Sequence, residues 1–215
     1  MATLIICLVA GYLVGSIPTS ILAGKMTRGI DIRDYGSGNA GATNVYRVLG
    51  LKMALLVFIV DAGKAAAAVL LVAHLGPKTL PLDVPVVQIL SGLAVMAGNI
   101  WPVWVGFAGG KGVSTSAGVL LALAPLATGC AALVWMSVVA MTRYVSLASI
   151  CASLTLPLVL WLRSVLLQSH VPFTLLLFTL LVPVIVLVTH RSNIRRLFSG
   201  TENRIGSKIQ KMNEP

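Results

Sequence analysis

Long aliphatic runs alternate with short polar, glycine-rich segments from one end of the chain to the other. The runs are uniformly apolar, which suits membrane-crossing helices and not the alternating strands of a membrane barrel. Span one is expected over residues 4–23, where Gly11 and Gly15 form a GxxxG pair suited to close helix packing. Span two covers 51–75 and ends at the proline-rich turn GPKTLPLDVP (76–85); span three begins near residue 86. The 29 residues of 113–141 are interrupted by Pro125 and Gly129. Two short helices are expected there, about 113–127 and 130–141, with one long tilted helix as the alternative. Span six covers 147–165 and span seven 172–189, before a basic tail.

Composition agrees with this class. The 215 residues are 57% hydrophobic and 10% charged, against about 25% charged in a soluble domain. The formal net charge of +10 does not point to nucleic acid, because most Lys and Arg flank the apolar spans. With seven spans, residues 25–52, Lys111, Arg143 and the tail share one face. That face holds every Lys and Arg of the sixteen except Lys64, Lys78 and Arg163. The positive-inside bias then puts the N-terminus outside and the C-terminus in the cytoplasm; six spans would place the basic tail outside. The expected fold is an all-α integral membrane protein of seven transmembrane helices, one domain over 1–215, with short polar half-buried loops on the cytoplasmic face. Cys7, Cys130 and Cys151 lie in apolar runs without metal-ligand spacing. The start MATLIICLVAGYLVG lacks the basic region of a cleaved signal peptide.

The polar segments carry the candidate chemistry. In GSGNAGATNVYR (36–47), small residues let the main chain turn tightly and aim N–H groups at an anion. Ser37, Asn39, Thr43 and Asn44 add hydrogen bonds, and the planar fork of Arg47 suits phosphate. A plain glycine-rich turn with a topology arginine is the alternative. GGKGVSTSAG is not a Walker A loop: Val105 stands where the first glycine belongs, and Gly112 follows Lys111 instead of Ser or Thr. Lys111 at the start of a helix is a phosphate contact or an interfacial anchor. Asp61 and Lys64 of DAGK lie three apart inside span two and should interact, as a structural ion pair, in direct chemistry or as a transport relay. His190 and Asn193 sit one turn apart; His190 binds phosphate, moves a proton or caps its helix. Arg195, Arg196, Lys208 and Lys211 suit anionic lipid. No HExxH or GxSxG motif occurs, and Ser37 has no visible base. The residues point to a small phosphorylated or otherwise anionic substrate handled at the cytoplasmic face, by an enzyme or by a transporter.

Five segments in order resemble the bacterial acyl-phosphate:glycerol-3-phosphate acyltransferase family: GSIPTS (15–20), GSGNAGATNVYRVLG (36–50), DAGK (61–64), NIWPVWVGFAGGKGVSTSAG (99–118) and THRSNIRRLFSGTENR (189–204). The resemblance implies seven helices of the bacterial inner membrane and a cytoplasmic active site. It implies acyl transfer from acyl phosphate to glycerol 3-phosphate with no metal, cofactor, acyl-CoA or acyl-carrier protein. It assigns Ser37, Arg47, Lys111, His190 and Asn193 to catalysis. Gly36, Asn39, Gly41, Thr43, Asn44, Gly109, Gly110, Gly112, Ser146 and Glu202 are assigned to substrate binding. Membrane lipid is an expected partner, and a monomer is expected. Two positions depart from the pattern: Asn99 stands where the family usually has histidine, and Ala65 where it has glycine. Asn99 cannot act as a base near neutral pH. A small phosphorylated-anion transporter is the alternative function.

Overall fold

The computed structural model describes residues 1–73 and 82–206. The expected turn at 76–81, with Lys78, and the tail residues Lys208 and Lys211 lie outside the described residues. Among the described residues ten α-helices follow one another: α1 (Ala2–Ser16), α2 (Thr19–Arg28), α3 (Ala42–Leu49), α4 (Leu51–Ala73), α5 (Val84–Ile100), α6 (Val113–Leu123), α7 (Pro125–Thr142), α8 (Val145–Leu166), α9 (Phe173–Thr189) and α10 (Arg191–Phe198). They group into two compact units, Met1–Val119 and Leu120–Ile205.

Among the described residues five stretches are long and apolar enough to cross a bilayer: Ala2–Arg28, Leu51–Val72, Val84–Val105, Pro125–Thr142 and Val145–Leu166. A sixth is α9 with α10, bent by 65°. Their outer faces carry exposed aliphatic side chains such as Ile5, Ile6, Val9, Leu55, Leu56, Ile59 and Leu158. Water does not tolerate apolar faces this extensive; lipid does. The 11 residues of α6 rise about 16 Å, roughly half of a ~30 Å hydrocarbon core.

Three elements differ from the sequence expectation. Span one is broken: Ile17, at φ −58° and ψ 113°, leaves the helical region because the following Pro18 crowds it. The break near residue 128 lies instead at Ala124, since Pro125 takes the first turn of α7, where its missing N–H costs nothing. Gly129 is interior to α7. The second half of GSGNAGATNVYR is helical as α3, not loop. Gly41 precedes it in extended geometry, Val45 and Val48 point inward one turn apart, and Gly50 at φ +89° ends it.

Within the first unit α1 lies along α5, and α5 along α4. A methyl group on Gly15 would stand 2.2 Å from the Val95 carbonyl oxygen, so the GxxxG pair does serve close packing. Ile32 is fully buried among Ile21, Val45, Val48 and Val57, fastening α2, α3 and α4 around the polar segment. In the second unit α8 packs between α7 and α9.

Candidate active site

The first unit holds two of the polar motifs. Asn44 is 1% exposed and spends its amide on the preceding loop. Its Nδ2 donates to the carbonyls of Ile32 and Tyr35, both at 2.9 Å, and its Oδ1 accepts from Ser37 N at 2.8 Å. Asn44 is expected from sequence to meet substrate; the structure turns it onto the backbone, where it shapes the loop that carries Ser37. Gly36 (φ +64°) makes that turn possible, since any Cβ there would meet Asn44 Oδ1. Ser37, Asn39, Gly41 and Thr43 are half-buried along the same stretch, and Arg47 is half-buried on the last turn of α3.

The Lys111 loop abuts this segment. Gly110 lies so close to Ala40 that a Cβ would stand 2.9 Å from its carbonyl oxygen. Gly109 N donates to Ile100 O at 3.2 Å and Gly110 N to Asn99 O at 3.0 Å, folding the loop back on the end of α5. Gly112, at φ +77°, then turns the chain into α6, and Lys111 is half-buried between these glycines.

Arg33 holds the loop from the other side. It pairs with Asp31 at 2.8 Å and donates to the carbonyls of Val105 at 3.0 Å and Ala108 at 3.3 Å. The hydrogen bond from Arg33 holds the Asp31 carboxyl below its ordinary range despite partial burial, and the same contact raises the guanidinium. Sequence reasoning counts Arg33 only among topology charges. The DIRD spacing hints at the local pair, but not at partners over seventy residues away.

Asp61 and Lys64 do pair, at 2.7 Å, with both side chains nearly buried. Asp61 also accepts the Thr19 hydroxyl hydrogen bond. The Lys64 ammonium donates to the carbonyls of Gly15 at 3.0 Å and Ile17 at 2.9 Å. The pair therefore pins the broken first span, satisfying carbonyls that the break sets loose.

In the second unit Glu202 gathers three donors. Its Oε1 accepts from Ser146 Oγ at 2.8 Å and Asn193 Nδ2 at 2.6 Å, and its Oε2 pairs with Arg196 at 2.7 Å. Ser146 and Glu202, which the resemblance assigns to substrate binding, tie the tail to α8 and α10. Burial alone would raise the Glu202 carboxyl, but the hydrogen bonds from Asn193, Arg196 and Ser146 outweigh it and leave it lowered. Nearby, Ile205 N donates to Arg143 O at 2.9 Å, and Arg204 stacks 5.0 Å from the Tyr144 ring centre. His190 is 3% exposed, with Nδ1 2.9 Å from Val186 O. A proton on Nδ1 suits that contact and leaves Nε2 as the basic nitrogen.

A lowered carboxyl stabilises the folded tail above its unfolded-state value near pH 4.3, and that contribution disappears as pH falls through the lower folded value. Glu202→Gln is expected to loosen the tail at pH 7 by about 1–3 kcal/mol. The Arg196 arm adds little to this, being over a third exposed. Hydrogen exchange at Ser199–Ile205 measures it. Wild type should approach the variant only below about pH 4; equal exchange at pH 7 would remove Glu202 from the role.

The helices and buried polar motifs define a multi-pass integral membrane protein with two basic, glycine-shaped segments packed together. The sequence model of the glycerol-3-phosphate acyltransferase family matches residues 5–200, and the chain belongs to that family. It is similar to the glycerol-3-phosphate acyltransferases of Chlorobium phaeobacteroides (strain BS1), 42% identical over 95% of this chain and 97% of that protein. The enzyme of Chlorobaculum tepidum is 39% identical, with 95% and 97% covered. Among solved structures it resembles PlsY (YgiH), an integral membrane glycerol 3-phosphate acyltransferase. The glycerol 3-phosphate form gives a TM-score of 0.84 at 36% identity, covering 95% of this chain and 96% of that one. The lysophosphatidic acid form gives 0.82 at 35%, with the same coverage.

Proposed function

We propose that this protein transfers a fatty acyl group from acyl phosphate to the primary hydroxyl of glycerol 3-phosphate. The products are 1-acyl-sn-glycerol 3-phosphate and inorganic phosphate. The observation that carries the reading is the packing of the Ser37–Arg47 segment against the Lys111 loop through Ala40 and Gly110. Two cationic side chains on backbones shaped by glycine suit phosphoryl groups.

The acceptor hydroxyl oxygen attacks the acyl carbonyl carbon, the bond from that carbon to the phosphate oxygen breaks, and phosphate leaves. The hydroxyl proton passes to a phosphate oxygen or to His190. Acyl phosphate is already activated, so the protein mainly aligns two anions and stabilises developing negative charge. Ser37 Oγ, Arg47 and Lys111 are assigned to that task. Asn99 need not be a base for this chemistry. Asn193 shares Glu202 with the tail, and its catalytic assignment is read through its own variant. The proposed protein works as a monomer without metal or cofactor. Seven apolar segments (α1 with α2, α4, α5, α6, α7, α8 and α9) make the proposed spans of the bacterial inner membrane, the 11-residue α6 completing its crossing through the chain on either side of it. The N-terminus lies outside, and the polar motifs face the cytoplasm.

Purified protein in lipid nanodiscs, given both substrates and no added metal, should form 1-acyl-glycerol 3-phosphate by mass spectrometry. Product from acyl-CoA alone would overturn the donor. Gradient-driven glycerol 3-phosphate uptake into proteoliposomes, without acyl transfer, would favour the transporter.

A further inference from the structure

The break at Ile17–Pro18 leaves a helix N-terminus inside the first unit. Pro18 offers α2 no side-chain cap, and no acidic residue stands in its first turn. Against this end lies a partly open recess with about 220 Å³ of empty space, walled by Thr19, Ser20, Ala40, Asn99, Gly109 and Gly110 among others. Much of that space is open to solvent, and the enclosed part has room for about one water-sized group.

Ser20 lines the recess, is 2% exposed, and has an Oγ without a hydrogen-bond partner among the described residues. Several helical hydroxyls turn back on the carbonyl four residues earlier, among them Ser116 on Gly112, Thr128 on Ala124 and Ser149 on Val145. For Ser20 that carbonyl belongs to Ser16, across the break. The hydroxyls of Ser16 and Ser91 are also unpartnered, but neither residue lines the recess. The carbonyls of Gly15 and Ile17, which would compete for a donor here, are engaged by the Lys64 ammonium. The Thr19 amide is spent on Ile17 O at 3.0 Å, so what remains at the recess is the Ser20 hydroxyl, the next amides of the first turn at the positive end of a helix, and Asn99. That set suits an anionic oxygen.

We propose that this recess is a second phosphoryl subsite, taking one non-bridging oxygen at Ser20 Oγ and the α2 N-terminus. The inference rests on the acyl-transfer reading, in which two phosphoryl groups must be held at once. The Arg47 and Lys111 segments serve one; the recess shares Ala40 and Gly110 with them and is placed to hold an oxygen of the other. Its dimensions admit a single oxygen, so it orients a phosphoryl group instead of enclosing it.

The test uses detergent-solubilised full-length protein and thermal stabilisation by inorganic phosphate or glycerol 3-phosphate. Ser20→Ala should raise the half-saturating concentration of one of them about threefold to tenfold, and Ser20→Thr, which keeps the hydroxyl, should stay near wild type. With glycerol 3-phosphate saturating, a phosphate response that weakens in Ser20→Ala assigns the recess to the donor phosphoryl. A weakened glycerol 3-phosphate response with unchanged phosphate assigns it to the acceptor. Asn99→Ala, which removes the opposite wall, is read alongside should Ser20→Ala fail to fold, and should weaken the same ligand. No response in wild type, or unchanged half-saturation for both ligands in a folded variant, overturns the proposal. Binding is read without turnover, so failed acyl transfer with intact Ser20-dependent binding sinks the reaction and leaves the subsite standing.

Discussion

Lys111→Ala and Arg47→Ala are each expected to lower kcat/KM for acyl transfer at least tenfold. A charged hydrogen-bonding contact is worth about 1.5–3 kcal/mol, and 1.4 kcal/mol is already a factor of ten. Both side chains are half-buried on glycine-shaped backbone, so each works at lower effective dielectric than a surface charge. The fold should survive either change. The loop around Ser37 is held by Asn44, and the Lys111 loop by Gly109, Gly110 and Arg33. Steady-state kinetics on monodisperse protein decide the matter, and wild-type constants in either variant would remove that residue from the site. Arg47→Lys separates geometry from charge. If two parallel N–H donors grip one phosphoryl group, lysine restores little; near-complete recovery would show that a point charge suffices.

Asp61→Ala should be the most damaging change to stability, costing about 3–5 kcal/mol because it leaves the Lys64 ammonium buried without its counter-charge. The geometry makes the dependence tight: the ion pair closes at 2.7 Å with side chains only 8% and 4% exposed. Thr19 would lose its acceptor in the same stroke. Lys64→Met is expected to cost less, since it removes a charge instead of stranding one, although Gly15 and Ile17 lose their donor. The double variant Asp61→Leu/Lys64→Met should recover much of the loss, and the coupling is read from a double-mutant cycle on thermal midpoints in detergent. Additive single effects would show that the two residues act independently.

The apolar runs made most of the helices legible, because length and unbroken hydrophobicity are local properties. Proline was harder to place. Pro125 stood out as an interruption, but only the structure shows it opening α7; Pro18 sits in a run apolar enough to hide the break it makes. The helix α3 was obscured by the glycines before it, although Val45 and Val48 one turn apart already carried the signal. The pairing of Asp61 with Lys64 was legible from helical spacing. What sequence could not show was where polar groups separated along the chain spend their hydrogen bonds. Asn44 reaches back to Ile32, Arg33 forward to Ala108, and Glu202 back to Ser146. Residue type announces these side chains as polar; only packing reveals that they hold backbone segments in place.

The contacts of Glu202 change what trimming this chain would mean. A shortened version ending at Ser199 would keep every apolar helix, and on a hydropathy plot it would look intact. It would nonetheless leave Ser146 and Asn193 without the carboxylate they share, and Arg143 without the backbone of Ile205. Residues 200–205 act as a latch whose bolt is a single side chain. Cloning boundaries, affinity tags and protease sites therefore belong beyond Gly206, where they leave that bolt in its socket.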